Sequence, residues 1–234
     1  HYELLGLRFE DAQGRHLGVN GSLSLFAWPQ SLSLTADLAP SLIYTEGWHQ
    51  GVVKNGLCVI EQPWKVPHDA RLESAEMTVE CWVKIPESLQ SSGRGYLLAK
   101  NGHEGYHGHY SFKIQQGKVS ANMNIAEGPK GRRSIEQRGG SFKENAWNHL
   151  AMSYDGKAMH FYVNGTLQGT VAVNLERRPG KGQLVLGQRA DGNGAITKAV
   201  YDQVRVWNRS LSQQELQAHA QAPESLPNTS GLNY

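Results

Sequence analysis

The stretch from Trp147 to Val173 reads WNHLAMSYDGKAMHFYVNGTLQGTVAV and decides the fold class of the chain. Two dipeptides within it, Asp155-Gly156 and Asn164-Gly165, are pairs that tolerate the positive φ angles of two-residue hairpin turns. Apolar residues recur at every second position on both sides of the first turn, at Leu150, Met152, Tyr154, Met159, Phe161 and Val163. The pattern predicts an antiparallel meander with one apolar face.

Further runs extend the strand pattern on both sides of this meander. Strands are predicted at Leu4–Glu10, at two edge segments within Ser22–Thr35, and at Gly56–Gln62, Met77–Ile85, Tyr96–Lys100, His109–Ile114, Lys118–Ile125, Gln183–Gln188 and Val200–Trp207. The polar, basic segment Lys130–Ser141 is predicted to hold a short strand within loops. Because no helical crossover segments are available, all strands should run antiparallel. The fold class is therefore all-β, an antiparallel two-sheet β-sandwich or jelly roll.

One short helix is predicted near the C-terminus. Ser212-Gln-Gln-Glu215 has the spacing of a capping box, and Leu211 and Leu216 give the helix an apolar side. We expect it to end near His219. The segment Pro223–Tyr234 has the composition of a linker or tail, so residues 1–222 are predicted to form one domain followed by this tail.

Composition excludes several classes of function. The chain has 234 residues, 39% of them hydrophobic, and a formal net charge of +2. This charge is too small to indicate nucleic-acid binding. No apolar run is long enough to span a membrane, and the first residues do not resemble a signal peptide. Since the chain also lacks an initiator Met, we expect a mature form or an excised module.

The two cysteines, Cys58 and Cys81, both lie in apolar strand-like runs. A disulfide between them would stabilise the fold by about 3 kcal/mol. Free Cys is also among the most buried residue types, so two buried thiols fit equally well. The sequence leaves both alternatives open.

Several motifs follow one another in an order that resembles a known family. They are Gly47-Trp48, Met77–Val83, Trp147–Leu150, Tyr154-Asp155-Gly156, Phe161–Gly165, Leu186-Gly187 and Asp202–Glu215. Together they resemble the laminin G-like (LamG-like) jelly-roll modules of the concanavalin A-like lectin/glucanase superfamily. The resemblance implies a secreted, periplasmic or cell-surface module, commonly joined to other domains of a larger protein. It also implies carbohydrate as a frequent ligand and Ca²⁺ as an occasional one.

Catalytic residues of that superfamily have no clear match here. Its glucanases carry paired acids at alternate positions of one strand, whereas Glu73, Glu76 and Glu80 are spaced by three and four. Jelly-roll lyases use Tyr or His as a base, and one loop has such residues at His103, Tyr106, His107 and His109. These side chains could be exposed without a role, could contact a ligand, or could act in catalysis or metal binding.

Aromatic and basic residues in loops supply further candidates for ligand binding. Sugars stack on aromatic faces, and Trp64, between Pro63 and Lys65, is the best candidate for an exposed indole. The resemblance places Trp48, Trp82, Trp147 and Trp207 in the core. Two basic segments, containing Arg132 and Arg133 and then Arg177 and Arg178, could bind the sulfate or carboxylate of an anionic polysaccharide. Solvated surface charge would explain the same residues.

A turn near the end of the chain is a weak candidate for Ca²⁺. Asp191 and Asn193 offer oxygen ligands one residue apart. Turn chemistry alone also accounts for the Asp-Gly-Asn-Gly sequence.

The sequence thus predicts an extracytoplasmic recognition or accessory module, not catalytic by itself, with carbohydrate as the favoured ligand. The alternatives are an interaction or spacer module that binds no sugar, and a polysaccharide lyase or glycoside hydrolase of the same fold.

Overall fold

A computed structural model of the chain describes residues 9–10, 16–17, 46–86, 94–128, 131–173 and 175–224. At the start of this range, β1 (Phe9–Glu10) pairs with β2 (His16–Leu17). The two edge strands predicted within Ser22–Thr35 lie outside the described residues, as does most of the predicted tail.

The remaining strands form two antiparallel sheets, as the sequence predicts. In chain order they are β3 (Gly47–Gln50), β4 (Asn55–Val59), β5 (Trp64–Val66), β6 (Met77–Lys84), β7 (Arg94–Lys100), β8 (Tyr110–Gln115), β9 (Lys118–Gly128), β10 (Gly131–Ser141), β11 (Asn148–Tyr154), β12 (Ala158–Val163), β13 (Thr166–Ala172), β14 (Leu184–Leu186) and β15 (Ala199–Trp207). One sheet has seven strands in the order β13-β12-β11-β6-β15-β4-β3, and the other has six in the order β10-β9-β8-β7-β14-β5. This is a jelly-roll sandwich.

The core lies between the two sheets, where alternate residues of each strand point inward. In the seven-stranded sheet, Leu150 of β11 pairs with Cys81 on one side and with Val163 on the other. Opposite them, Phe112 of β8 packs against Phe161 of β12, with ring centroids 6.1 Å apart. The period-two pattern of the meander is thereby confirmed.

The second predicted turn of the meander also positions the helix. Asn164 and Gly165 have φ values of 51° and 74°, and the Asn164 Oδ1 accepts a hydrogen bond from the His149 N–H at 2.8 Å. A Cβ atom on Gly165 would lie 2.9 Å from the Cα of Gln217 in helix α1 (Gln213–Gln221). Glycine therefore serves twice here, since it permits the positive φ and the close approach of the helix.

Helix α1 begins as predicted and runs two residues beyond His219. The Ser212 side chain accepts from the Glu215 N–H, and the Glu215 carboxylate accepts from the Ser212 N–H, which completes the capping box. Leu211 and Leu216 then pack with Trp207 and neighbours on the outer face of the seven-stranded sheet.

Beneath this helix lies a buried carboxylate, Glu80 of β6, on the outer face of the seven-stranded sheet. It accepts hydrogen bonds from His149 Nε2 at 2.9 Å, Trp207 Nε1 at 2.9 Å and His219 Nδ1 at 3.1 Å. Arg205 forms an ion pair with it at 3.4 Å. Because His219 belongs to α1, this network fixes the helix to the sheet.

Three features differ from the sequence expectation. Strand β10 is a full eleven-residue strand, although its polar composition predicts only a short one. Its outward residues can be polar because one face of an antiparallel sheet can be exposed to solvent, and no described helix or strand packs on this face along β8–β10. The short edge strands β3 and β5 were not predicted, since three or four residues give no readable periodicity.

The two cysteines are free and buried. Strand β15 lies between β4 and β6, so it separates Cys58 from Cys81. Cys81 points into the main core, whereas Cys58 packs with Val200 in a separate cluster on the opposite face of the sheet. This geometry excludes a disulfide and decides between the two alternatives. No helix among the described residues is long and apolar enough to cross a membrane.

Candidate functional site

A groove runs across the outer face of the six-stranded sheet. Inward residues of these strands, such as Phe112 and Ala121, belong to the core, so the residues between them point outward. The register aligns Tyr96 with Lys113, Lys113 with Ser120, and Ser120 with Arg138 in one row across β7 to β10. The resulting cavity, which we call the sheet groove, has a volume of about 520 Å³ and also contains Glu104 and Glu136.

Lys113 lies at the centre of the sheet groove, between two carboxylates. Its Nζ is 3.0 Å from Oε1 of Glu104 and 3.4 Å from Oε1 of Glu136. The Tyr96 hydroxyl donates to Glu104 at 2.6 Å, and the Ser120 hydroxyl donates to Glu136 at 2.9 Å. These contacts hold donors and acceptors for a ligand in fixed positions.

Both carboxyl groups are ionised at neutral pH. Burial alone would raise the pKa of Glu104, but hydrogen bonds from Tyr96 and Lys113 outweigh it and lower the pKa to about 2. For Glu136, the effect of burial is likewise outweighed by Arg138 and Lys113, and its pKa is lowered. Burial and the neighbouring Glu104 raise the pKa of Tyr96, so its hydroxyl keeps its proton.

The loop between β7 and β8 brings Glu104 to the groove, and a buried ion cluster holds that loop in place. We call it the Glu73 cluster. In it, the Glu73 carboxylate forms ion pairs with Lys100 Nζ at 2.7 Å and with Arg177 Nη2 at 2.6 Å. Arg177 also donates to the Gly108 carbonyl at 2.8 Å. The cluster therefore connects three separate segments of the chain at the end of the sandwich.

Arg177 is consequently a structural residue and not a surface ligand for anions. Its side chain is fully buried, and Nη1 and Nη2 donate to Glu73 and to two backbone carbonyls, whereas Nε makes no hydrogen bond in the described structure. Sequence reasoning grouped it with its neighbour Arg178, which is exposed. Arg132 and Arg133 lie in β10, and their side chains are outside the described part of the structure. Arg177 is thus removed from the predicted basic site, and anion binding by Arg132, Arg133 and Arg178 stays a prediction.

The predicted histidine loop is divided between surface and interior. His109 is fully buried, its Nε2 lies 2.9 Å from the Ser111 hydroxyl, and burial lowers its pKa to about 4. His103 packs against the edge of Tyr106, with ring centroids 4.5 Å apart, and Tyr106 is 48% exposed. His107 is partly buried. Of this loop, only Glu104, which the sequence did not single out, reaches the sheet groove.

The Asp191 turn is stabilised by its own contacts. Asp191 Oδ1 accepts from Arg189 Nε at 2.8 Å and from the Asn193 N–H at 3.0 Å. Among the described residues, no group of three or more His, Cys, Asp or Glu side chains is arranged to hold a metal ion. Calcium binding by Asp191 and Asn193 stays a prediction.

The predicted exposure of Trp64 is observed, at 48%. Trp64 lies on β5, in a second and smaller groove of about 290 Å³ that also contains Trp48. The expectation that Trp48 is buried is wrong: it is 36% exposed, because β3 is the edge strand of its sheet. Trp82 and Trp207 are buried as expected, and Trp147 is partly buried.

Comparison with known proteins identifies the fold. The Laminin_G_3 family model, described as concanavalin A-like lectin/glucanases superfamily, matches residues 61–217. No curated protein sequence matches the chain.

Solved structures show similar folds at low sequence identity. The binding domain of Paraclostridial Mosquitocidal Protein 1 has a TM-score of 0.60 and 14% identity over 75% of this chain and 45% of that one. The Ruminococcus gnavus IT-sialidase CBM40 bound to α2,3-sialyllactose has a TM-score of 0.56 and 18% identity, over 70% and 96%. Domain 4 of AbnA, a GH43 extracellular arabinanase from Geobacillus stearothermophilus, in complex with arabinotriose, has a TM-score of 0.52 and 18% identity, over 76% and 82%. The chain thus spans less than half of the toxin domain and most of the other two.

Proposed function

Since the chain belongs to the concanavalin A-like lectin/glucanases superfamily, we propose that it is an extracytoplasmic recognition module that binds carbohydrate in the sheet groove. The observation that carries the proposal is the groove of outward polar side chains across β7 to β10, with Lys113 between two ionised carboxylates. An antiparallel sheet can have one polar face exposed to solvent, so the support comes from the groove and its fixed charged groups and not from polarity alone.

The groove has the chemistry that a sugar requires. Carboxylates such as Glu104 and Glu136 accept hydrogen bonds from sugar hydroxyls, while Lys113 and Ser120 can donate. Tyr96 adds an aromatic ring beside these groups. A few fixed polar groups within a groove are typical of sites that orient a small ligand.

The ion pairs of the groove favour a neutral sugar over an anionic polysaccharide. Lys113 is shared between Glu104 and Glu136, and Arg138 pairs with Glu136 at 2.9 Å. The third cation of the lining, Lys118, donates to the Ser141 hydroxyl at 3.4 Å. A sulfate or uronate would have to compete with Glu104 and Glu136 for Lys113 and Arg138.

The same pair of carboxylates favours recognition over hydrolysis. Glycoside hydrolases need one carboxyl group with a raised pKa that can donate a proton. Here the pKa of Glu104 and that of Glu136 are both lowered. Two of the similar folds are a carbohydrate-binding module and an arabinanase domain in complex with sugars, which supports carbohydrate as the ligand class.

Isothermal titration calorimetry with neutral oligosaccharides tests the proposal. Arabinotriose is the first probe, sialyllactose is the anionic comparison, and each titration is repeated with EDTA to detect a calcium requirement. We expect a neutral sugar to bind more tightly than the anionic one. The Glu136→Gln variant keeps the shape of the side chain but weakens it as an acceptor, so affinity should fall about tenfold.

Glu76→Gln is the matched control, because Glu76 is exposed and does not line the groove. Its affinity should equal that of the unmodified chain. If no neutral oligosaccharide binds, or if Glu136→Gln binds as well as the control, the sheet groove is not a sugar site and the spacer alternative is favoured. Release of reducing or unsaturated sugars would instead indicate an enzyme.

A further inference from the structure

We infer that the smaller groove around Trp48 and Trp64, here called the tryptophan groove, is a second carbohydrate site that binds one face of a neutral sugar. It is separate from the sheet groove and does not depend on it: the two share no lining residue. The inference rests on the position of the groove, its two exposed indoles, the bulge of β15 beside it and the charge of its lining.

The tryptophan groove lies where the edge strands of the two described sheets meet. Strand β5 is the edge of the six-stranded sheet, and β3 is the edge of the seven-stranded sheet. Trp64 of β5 pairs with Leu186 of β14, and Leu186 and Leu184 contribute to the apolar floor. Rigid strands thus position the groove on both sides.

Two large aromatic side chains are exposed in this one groove. Trp64 is 48% exposed and Trp48 is 36% exposed, although an indole gains much free energy from burial. Neighbouring apolar exposure of this kind marks binding surfaces. The flat, apolar face of an indole can stack on the apolar C–H face of a sugar ring. The hydroxyl groups at the edge of the sugar then remain free to form hydrogen bonds.

The backbone of β15 beside the groove is unusual. Strand β15 has a bulge between Asp202 and Arg205, and Gln203, which lines the groove, has a φ of 47°. A non-glycine residue in the left-handed region is strained, and such strain and such bulges are enriched at ligand sites. Gln203 and Asn55 of β4 both line the groove, and the Gln203 Oε1 accepts a hydrogen bond from Arg205.

The charge of the groove excludes an anionic ligand. Among the described residues that line it, Asp202 is the one charged side chain. Its two oxygens accept from the N–H groups of Val53 and Gln203, each at 2.7 Å. A sulfate or carboxylate would find no cation in the lining and one fixed negative charge.

The edge strand argues against an added peptide strand as the occupant. Strand β5 has only three residues, and Pro63 and Pro67 flank it. Proline has no N–H to donate, and short, proline-flanked edges are how proteins prevent further strand pairing. A ligand that stacks on the indoles is therefore favoured over one that hydrogen-bonds along the strand.

The test measures sugar binding to the whole chain when each groove is disabled in turn. The probes are arabinotriose, xylotriose, cellotriose and mannotriose, titrated while tryptophan fluorescence is recorded, with stoichiometry from calorimetry. Trp64→Ala should weaken binding at this groove about tenfold and abolish most of the fluorescence change. Leu167→Ala, which alters an exposed apolar residue of β13, is the control and should change neither.

Double variants separate this inference from the proposed function. Glu136→Gln weakens the sheet groove alone, so it should leave the fluorescence change and the affinity of one class of site intact. Trp64→Ala with Glu136→Gln should weaken both classes of site, each about tenfold. If Trp64→Ala leaves affinity and the fluorescence change as they are in the unmodified chain, or if none of the four probes binds, the second site does not exist.

Discussion

Arg177 and Arg178 are adjacent in the chain, but the fold gives them opposite environments. The guanidinium of Arg177 lies against Glu73 and is fully buried, whereas Arg178 is exposed to solvent. Arg177 donates to Glu73 through one nitrogen at 2.6 Å and to the Ser74 carbonyl through another at 3.1 Å. Two adjacent residues of the same type therefore differ in role: Arg177 stabilises the fold, whereas Arg178 is exposed and stays a candidate for ligand binding.

We predict that Arg177→Ala lowers the free energy of unfolding by about 3 kcal/mol, because it leaves the buried Glu73 carboxylate without one of its two cations. Arg178→Ala should change it by no more than about 0.5 kcal/mol, as expected for an exposed side chain. Urea unfolding followed by tryptophan fluorescence measures both. Equal effects of the two substitutions would contradict the structural role of Arg177.

Helix α1 is held to the seven-stranded sheet by Glu80, and this contact makes one element sensitive to acid. Burial alone would raise the pKa of Glu80, but hydrogen bonds from His149 and His219 outweigh it and hold the pKa well below its usual range. A carboxyl group whose pKa is lower in the folded state stabilises the fold above its unfolded pKa of about 4.3. That stabilisation is lost progressively as the pH falls below this value.

The prediction is a steep decrease in the free energy of unfolding below about pH 4.3, to which Glu80 contributes up to about 1.4 kcal/mol per pH unit. Glu80→Gln should lower stability at neutral pH and flatten this acid dependence. Glu76→Gln, on an exposed residue of the segment before β6, should retain the full slope. Denaturant titrations from pH 3 to pH 7 give the comparison, and identical slopes for both variants would rule out the effect.

The elements that the sequence predicted are those whose signals are local. The Asp155-Gly156 and Asn164-Gly165 turns, the period-two runs beside them and the Ser212–Glu215 capping box each lie within a few residues, and the structure confirms them. Strands β3 and β5 were missed because they are too short for a periodic pattern, and β10 was underestimated because its outward residues are polar.

The sheet groove could not be predicted in the same way. Tyr96, Lys113, Ser120 and Arg138 become neighbours only through the pairing of four strands, and Glu104 joins them from a loop. The ligand-binding residues predicted from the sequence were placed in loops, and Trp64 was among them. The polar residues at alternate positions of β8 and β9 were a usable signal, since they mark a sheet face that is not covered.

At the scale of the whole molecule, the sandwich separates its two cysteines completely. Cys58 and Cys81 are both fully buried, on opposite faces of one sheet. Burial is the main cause that raises the pKa of Cys58 to about 12, and it also raises that of Cys81. Neither thiol is therefore a reactive thiolate at neutral pH.

We predict that neither thiol of the folded protein reacts with a thiol reagent such as dithionitrobenzoate. Both thiols should react once the protein is unfolded. A reducing agent should leave the thermal unfolding temperature unchanged, because no disulfide contributes to stability. A lowered unfolding temperature in reductant, or fewer than two thiols after unfolding, would show that the cysteines are bonded after all.

The placement of β15 has a consequence for the order in which the protein acquires its structure. This strand is the last of the sandwich in the sequence, but it lies between β4 and β6, and it alone joins the β3-β4 pair to the rest of its sheet. A chain emerging from the ribosome can form the hairpins of β8 to β13 early, since their partners are adjacent. The seven-stranded sheet cannot close until Trp207 has been made, so one edge of β4 and one edge of β6 stay unpaired, and open to chaperones or to wrong partners, while the segment from β6 to β15 is synthesised.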